Sequence, residues 1–197
     1  MSPSQLRMQD IAVVQPQYRN GAVASEIVLV TGERAADERS PHAVVRAALA
    51  GDGVEWRTYA KLFADGRHGR QSLPIVHGDR AWMTCRMLKP RVKGDAVYGF
   101  VALDRVASIK EDAGAGVLTL DDGTEIGTIV RLDTLRLEIG RTFVMLQERR
   151  MIGRRGGASG DDAERARMAA LAGSPSPVII CVGTAQDFAR LWERGNR

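Results

Sequence analysis

The sequence has few cysteines and no long apolar segment. Its 197 residues include two cysteines, Cys85 and Cys181, and neither belongs to a CxxC pair or has a histidine at metal-ligand spacing. The longest apolar runs, such as residues 178–182, are far shorter than the ~20 residues that cross a bilayer. The first ten residues contain no apolar core of a secretory signal. We therefore expect a cytoplasmic protein without a membrane partner, whose two thiols are reduced and mostly buried.

Catalytic motifs are also missing. The chain has no GxSxG, GxxxxGK[ST] or HExxH motif, and no GxGxxG follows a predicted strand. Its three histidines, His42, His68 and His77, have no partner at the spacing of a helical metal pair. The adjacent carboxylates Asp121 and Asp122 lie where a turn is predicted, which favours a structural role over acid–base chemistry. We expect a protein that is not an enzyme and that needs no metal or cofactor, and an enzyme with a site built from distant residues is the alternative.

The strongest local signals lie in residues 95–147. Two β-rich runs flank Asp122-Gly123, a pair typical of hairpin turns because glycine tolerates a positive φ. The apolar side chains that follow recur at steps of three or four residues, the spacing of one helical face: Leu132, Leu135, Ile139, Phe143 and Leu146. This order predicts a helix, about 131–147, that packs on an antiparallel sheet.

The rest of the chain predicts further strands and short helices. Ser40-Pro41 is a typical helix opening, and Pro74 favours an edge strand because proline has no N–H to donate. The predicted strands are 10–15, 22–31, 73–77 and 81–85, and the predicted helices are 42–50 and 54–64. We expect a longer loop over 16–21 and a polar, exposed segment over 32–40.

These elements predict an α+β fold with a single domain, because strands and helices do not alternate regularly along the chain. We expect a core over residues 1–149. A flexible connector rich in Gly, Arg and Ser would follow over 150–177, and a C-terminal strand and helix over 178–197.

The charge is modestly positive and falls in clusters. The formal net charge is +4 and the sequence pI is about 9.4. Lysine and arginine displace condensed counterions from nucleic acid, so cationic loops beside a sheet suit phosphate contacts. We expect three clusters to converge on one side of the fold, where a duplex could lie: Arg67 with Arg70; Arg86, Lys89, Arg91 and Lys93; and Arg149 and Arg150 with Arg154 and Arg155.

The chain resembles the competence transcription factor ComK family in the order and spacing of its elements over roughly residues 10–147. The matching features are an opening strand hairpin, a Gly-x-x-aromatic element before a helix, a Pro-Ile pair, a cationic loop, an aromatic residue that enters a strand, an Asp-Gly hairpin, an Arg-Thr pair in the long helix and a similar closing segment. They lie at residues 11–14, 53–56, 74–75, 84–93, 100–106, 122–123, 141–142 and 188–194.

The resemblance implies a cytoplasmic activator of the genes for DNA uptake. Members of this family bind paired A/T-rich boxes, largely through the minor groove, as dimers that assemble further. The partners it implies are therefore double-stranded DNA, a second copy of the chain, an adaptor and protease system, and RNA polymerase.

Two other non-catalytic functions are alternatives. One is a LytTR-like DNA-binding output domain, which would share the sheet-rich pattern and the turn-containing hairpin. The other is a protein-interaction domain in which the hairpin edge and Trp82 or Trp192 form a docking surface. The DNA-binding functions predict an affinity that falls steeply with salt, whereas the interaction domain predicts binding that salt barely affects.

Overall fold

The computed structural model describes residues 6–63 and 72–155. Its strands are β1 Ile11–Arg19, β2 Ala22–Leu29, β3 Arg34–Asp37, β4 Ile75–His77, β5 Arg80–Arg86, β6 Tyr98–Ala102, β7 Val106–Asp112, β8 Ala115–Leu120 and β9 Glu125–Gly127. Its α-helices are α1 Pro41–Gly51, α2 Trp56–Phe63 and α3 Leu132–Arg155. The strands form a six-stranded sheet in the order β3-β2-β1-β6-β5-β4 and a three-stranded sheet in the order β7-β8-β9. The pairs are antiparallel, which confirms the predicted α+β fold.

Both faces of the six-stranded sheet are covered. On one face Trp82 and Phe100 pack with Leu49 of α1. On the other face Met83 and Val101 pack with a core to which the three-stranded sheet and α3 contribute. Successive strand residues point to opposite faces, so a strand that is buried on both sides is apolar throughout. A ligand can therefore reach this part of the sheet only at its edges and loops.

The β1–β2 hairpin is tighter than the sequence predicted. The expected longer loop over 16–21 is wrong, because Tyr18 pairs with Val23 and only Asn20 and Gly21 form the turn, with φ of 51° and 80°. Both residues need a positive φ in such a turn, which Asn and Gly tolerate best. Pro16 is accommodated within β1 because the pairing of β1 with β6 extends only to Val14. The missing N–H of Pro16 therefore removes no hydrogen bond between β1 and β6.

One further segment differs from the prediction. Residues 34–36 are exposed, as expected of 32–40, but Arg34–Asp37 also forms the edge strand β3. This strand pairs with β2 through its backbone and carries no apolar alternation that could reveal it. The predicted helices 42–50 and 54–64 and the edge strand 73–77 are present with slightly different ends, and β4 is indeed at an edge.

The central stretch forms the predicted turn and helix. Asp122-Gly123 joins β8 to β9 with Gly123 at φ +83°, and Asp122 Oδ1 accepts the N–H of Thr124 at 2.8 Å. That hydrogen bond lowers the pKa of Asp122. Leu135 and Leu146 of α3 are fully buried, as the helical spacing predicted.

The long helix ends later than expected. It runs to Arg155 instead of about residue 147, and so crosses the predicted boundary between the core and the connector at 149–150. Residues 156–197 lie outside the described part of the chain. They include the rest of the predicted connector, the predicted C-terminal strand and helix, and Cys181.

Candidate nucleic-acid interface

The second cationic cluster lies on the connection between β5 and β6. Arg86 is the last residue of β5, and Lys89, Arg91 and Lys93 follow in the loop that leads towards Tyr98. The four side chains are exposed. We call residues 86–95 the basic loop. Because β5 and β6 are central in the sheet, this loop protrudes from one end of the sheet rather than from a covered face.

The basic loop is folded around one carboxylate. Asp95 Oδ2 accepts the backbone N–H of Arg91 at 2.8 Å and that of Val92 at 3.0 Å. The hydroxyl of Tyr18, which β1 contributes, also donates to Asp95. These hydrogen bonds favour the ionised carboxyl, and the one from Tyr18 is the largest cause that lowers the pKa of Asp95. The loop therefore has a defined conformation that depends on a residue far away in the sequence.

Tyr18 also orients one of the cations. The guanidinium carbon of Arg91 lies 3.9 Å from the centre of the Tyr18 ring, within the range of a cation–π contact. The Tyr18 hydroxyl accepts the N–H of Arg91 at 2.7 Å. Partial burial and then the hydrogen bond to Asp95 raise the pKa of Tyr18, so its hydroxyl remains a donor at neutral pH. The stem of Arg91 is thus held while its charge stays exposed.

The cations of the basic loop are not neutralised by ion pairing. In the part of the chain that the structure describes, no carboxylate lies within 4.0 Å of their charged nitrogens. Elsewhere such pairs are common, as in Arg105 with Asp121 at 2.8 Å and Lys110 with Glu125 at 2.5 Å. The loop itself holds four cations and one carboxylate, Asp95, so it has a net positive charge. Its charge is available to an anionic partner.

The start of α3 adds to the same end of the fold. The N–H of Ile129 donates to the carbonyl of Arg86 at 3.0 Å, which places the segment before α3 beside the basic loop. Arg131, two residues later, is exposed. We call the basic loop together with Ile129 and Arg131 the basic end.

The third cluster lies at the opposite end of β5. Arg149 Nη1 donates to the carbonyl of Val76 at 2.9 Å, and Arg150 Nη2 donates to that of Asp79 at 3.1 Å. Asp79 precedes the first residue of β5, whereas Arg86 is the last of its 7 residues. At about 3.3 Å per residue, the two clusters are roughly 20 Å apart along the strand. The structure therefore does not bring the second and third clusters together as expected. Arg67 and Arg70 lie outside the described residues.

Other candidate residues have structural roles. Trp82 is fully buried and its Nε1–H donates to the carbonyl of Ile11 at 2.9 Å. The suggested docking surface on Trp82 is therefore wrong, and Trp192 lies outside the described residues. Cys85 is a buried free thiol, and burial is the main cause that raises its pKa to about 12. Residues 6–63 and 72–155 contain no group of three His, Cys, Asp or Glu side chains placed to hold a metal ion.

Sequence reasoning found the exposed cations but missed Tyr18 and Asp95, which shape the loop that carries them. Asp95 follows Gly94 at the end of a cationic loop, a position where a carboxylate can accept backbone N–H groups. That local signal was available. Nothing in the sequence marked Tyr18, which is 77 residues from Asp95.

Comparisons with known proteins do not name a family. The chain matches no protein-family model, no curated protein and no solved structure. None of the helices in the described ranges has the length and apolar character of a membrane span.

Proposed function

We propose that this protein binds double-stranded DNA through the basic end and acts as a transcriptional activator of the kind that the ComK resemblance implies. The observation that carries this proposal is the basic loop, in which four exposed cations stand on a hydrogen-bonded scaffold without carboxylate partners. The genes for DNA uptake are the targets that the resemblance suggests.

The physical basis is phosphate neutralisation by a preformed surface. Each cation that reaches a phosphate releases counterions, and a loop already ordered by Asp95 loses little conformational entropy when it binds. Arginine is the side chain that most favours a narrow minor groove, where the negative potential is enhanced in A/T-rich DNA. Arg86, Arg91 and Arg131 supply this side chain at one end of the molecule.

One basic loop provides few contacts for a specific site. Four phosphate contacts would give a slope of log affinity against log salt of about −3.6, and two copies about −7. Specific DNA binding usually needs the larger number of contacts. We therefore propose that the protein binds as a homodimer or a larger assembly on paired A/T-rich boxes.

The test is a fluorescence anisotropy titration of the full chain against labelled A/T-rich and G·C-rich duplexes at several salt concentrations. We expect a steep slope and a preference for the A/T-rich duplex. A slope near zero, or equal affinity for the G·C-rich duplex, would contradict the proposal.

A pair of lysine variants makes the test specific to the basic loop. Lys93→Ala removes an exposed, unpaired cation of the loop, whereas Lys110→Ala removes an exposed cation that pairs with Glu125 at 2.5 Å. We expect Lys93→Ala to reduce the salt slope by about 1, or about 2 for a dimer, and Lys110→Ala to leave it unchanged. Equal effects of the two variants would show that binding is not centred on the basic loop.

A further inference from the structure

The basic end exposes apolar side chains among its cations. Three large apolar side chains of the described residues are exposed: Val92 at 65%, Leu137 at 51% and Ile129 at 43%. Val92 is the most exposed of them and lies in the basic loop between Arg91 and Lys93, and Ile129 lies beside the carbonyl of Arg86. The most solvent-exposed apolar group is therefore directly flanked by two exposed cations.

The backbone of Val92 is fixed from both sides. Its N–H donates to Asp95 Oδ2 at 3.0 Å, and its carbonyl accepts the N–H of Asp95 at 3.3 Å. Gly94 completes the turn with φ +101°, a conformation that a side chain would strain. Val92 thus projects from a closed turn instead of from a loose segment, and it cannot easily fold back onto the protein.

An apolar side chain between two cations fits one kind of DNA contact. Proteins that bind the minor groove insert apolar side chains between base pairs, which partly unstacks the pair and kinks the duplex by about 20–90°. The adjacent arginine and lysine can hold the phosphates on either side. A protein partner is the weaker explanation, because one valine offers far less apolar area than a stable interface needs.

We propose that Val92 is a wedge residue that enters the minor groove and unstacks a flexible pyrimidine–purine step, such as TA, within the bound duplex. This inference rests on the proposed DNA-binding function and adds to it a specificity-determining residue. Such steps are the easiest to kink, so the protein would recognise deformability at a position where it makes no base-specific hydrogen bond.

The wedge can be tested by base stacking and DNA bending. A duplex with 2-aminopurine at a central TA step reports unstacking by its fluorescence, and a duplex labelled at both ends reports bending by energy transfer. We expect the unchanged protein to increase the 2-aminopurine fluorescence and to bring the two ends closer. Val92→Ala should lose most of both signals and about tenfold in affinity, with the same salt slope, because every cation is kept.

Two further variants control for side-chain size and for position. Val92→Ile keeps an apolar side chain of at least the same reach and should retain unstacking and bending. Leu137→Ala removes an exposed apolar side chain of α3 that does not belong to the basic end, and it should behave like the unchanged protein. Thermal unfolding should be similar for all of them, because both positions are exposed.

The outcomes separate the wedge from DNA binding itself. If the unchanged protein binds with a steep salt slope but leaves 2-aminopurine stacked, or if Val92→Ala unstacks it equally well, the wedge is wrong and the DNA-binding function stands. If the unchanged protein binds no duplex, both the proposed function and the wedge are wrong.

Discussion

Two cationic clusters that look alike in the sequence differ in what their charges contact. In the basic loop, Arg86, Lys89 and Lys93 are exposed and have no ion-pair partner among residues 6–63 and 72–155. At the end of α3, Arg149 and Arg150 reach across to the carbonyls of Val76 and Asp79. The first cluster exposes its charge, whereas the second fastens the last part of α3 to β4 and to the turn between β4 and β5.

The number of cations in a segment therefore does not predict whether their charge is available to contact another molecule. The partners of Arg149 and Arg150 are 73 and 71 residues away in the chain. Both hydrogen bonds end on backbone carbonyls, which no residue type reveals, and the carboxylate of Asp79 lies 3.8 Å from Arg150 Nε. Conversely, the one carboxylate in the basic loop, Asp95, accepts backbone N–H groups and the Tyr18 hydroxyl instead of forming a close ion pair.

The largest expected effect is the loss of DNA binding when the basic loop is neutralised. Replacing Arg86, Lys89, Arg91 and Lys93 by alanine should lower the affinity at physiological salt about 100-fold or more and reduce the salt slope by about 3–4 per chain. Fluorescence anisotropy against an A/T-rich duplex measures both quantities. Circular dichroism should show an unchanged fold, because these side chains are exposed.

A charge-matched variant controls for net charge alone. Arg34, Lys110, Arg136 and Arg141 are exposed and each pairs with a carboxylate at 3.3, 2.5, 3.3 and 2.9 Å. Replacing these four by alanine removes the same number of cations from the protein. If this variant lost as much affinity as the loop variant, the contrast between free and paired charges would have no functional meaning.

The next largest effect is a loss of stability when the two arginines of the third cluster, Arg149 and Arg150, are replaced. The double variant Arg149→Ala with Arg150→Ala removes two hydrogen bonds, one from each guanidinium group to a backbone carbonyl. We expect the free energy of unfolding in urea to fall by about 1–3 kcal/mol. The salt slope of DNA binding should not change. A reduced slope with unchanged stability would instead assign Arg149 and Arg150 to the DNA interface.

Replacing both residues by lysine separates charge from geometry. Lysine keeps the positive charge but cannot reproduce the planar arrangement of guanidinium donors. We therefore expect Arg149→Lys with Arg150→Lys to remain less stable than the unchanged protein while its affinity for DNA is unaltered. Full recovery of stability would show that the charge alone holds this end of α3.

Local signals predicted much of the fold. Asp122-Gly123 formed the expected turn, Leu135 and Leu146 of α3 were buried as their spacing indicated, and α1 began at Pro41 after Ser40. Each of these predictions depends on residues within one or two turns of the chain. The failures depend on distant pairing: β3 is held by the backbone of β2, and Pro16 fits into β1 because β6 no longer pairs there.

The candidate site was predicted only in part for the same reason. Exposure of Arg86, Lys89, Arg91 and Lys93 followed from composition, since a polar segment with Pro and Gly is typical of a surface loop. The hydrogen bonds that order this loop connect it to Tyr18 in β1. That contact exists only because β6 pairs with β1 in the sheet, and strand order cannot be read from short-range patterns.

A smaller effect should follow when the loop is loosened without a change of charge. Tyr18→Phe removes the hydroxyl that donates to Asp95 and accepts the N–H of Arg91. Ordering the loop would then cost free energy at the moment of binding, so we expect the affinity for DNA to fall about 3- to 10-fold. The salt slope should stay the same because every cation remains. Tyr98→Phe, the same substitution at the start of β6, should have no such effect.

The smallest effect is an acid-dependent change that the basic loop should show and that the contact between α3 and Val76 should not. Hydrogen bonds from Tyr18 and from the backbone lower the pKa of Asp95, so the carboxylate contributes its full stabilisation above the ordinary carboxyl pKa of about 4 and loses it as the pH falls through the lowered value. The amide NMR signal of Val92 should therefore hold its position from pH 8 to pH 5 and move only in stronger acid. Asp95→Asn should abolish that movement, because an amide does not titrate. The backbone carbonyl that Arg149 contacts does not titrate either, so the hydrogen bond between α3 and Val76 should add no corresponding acid step. A movement of the Val92 signal between pH 5 and pH 8 would mean that Asp95 does not order the loop in its ionised form, and the contrast between the two clusters would lose its structural basis.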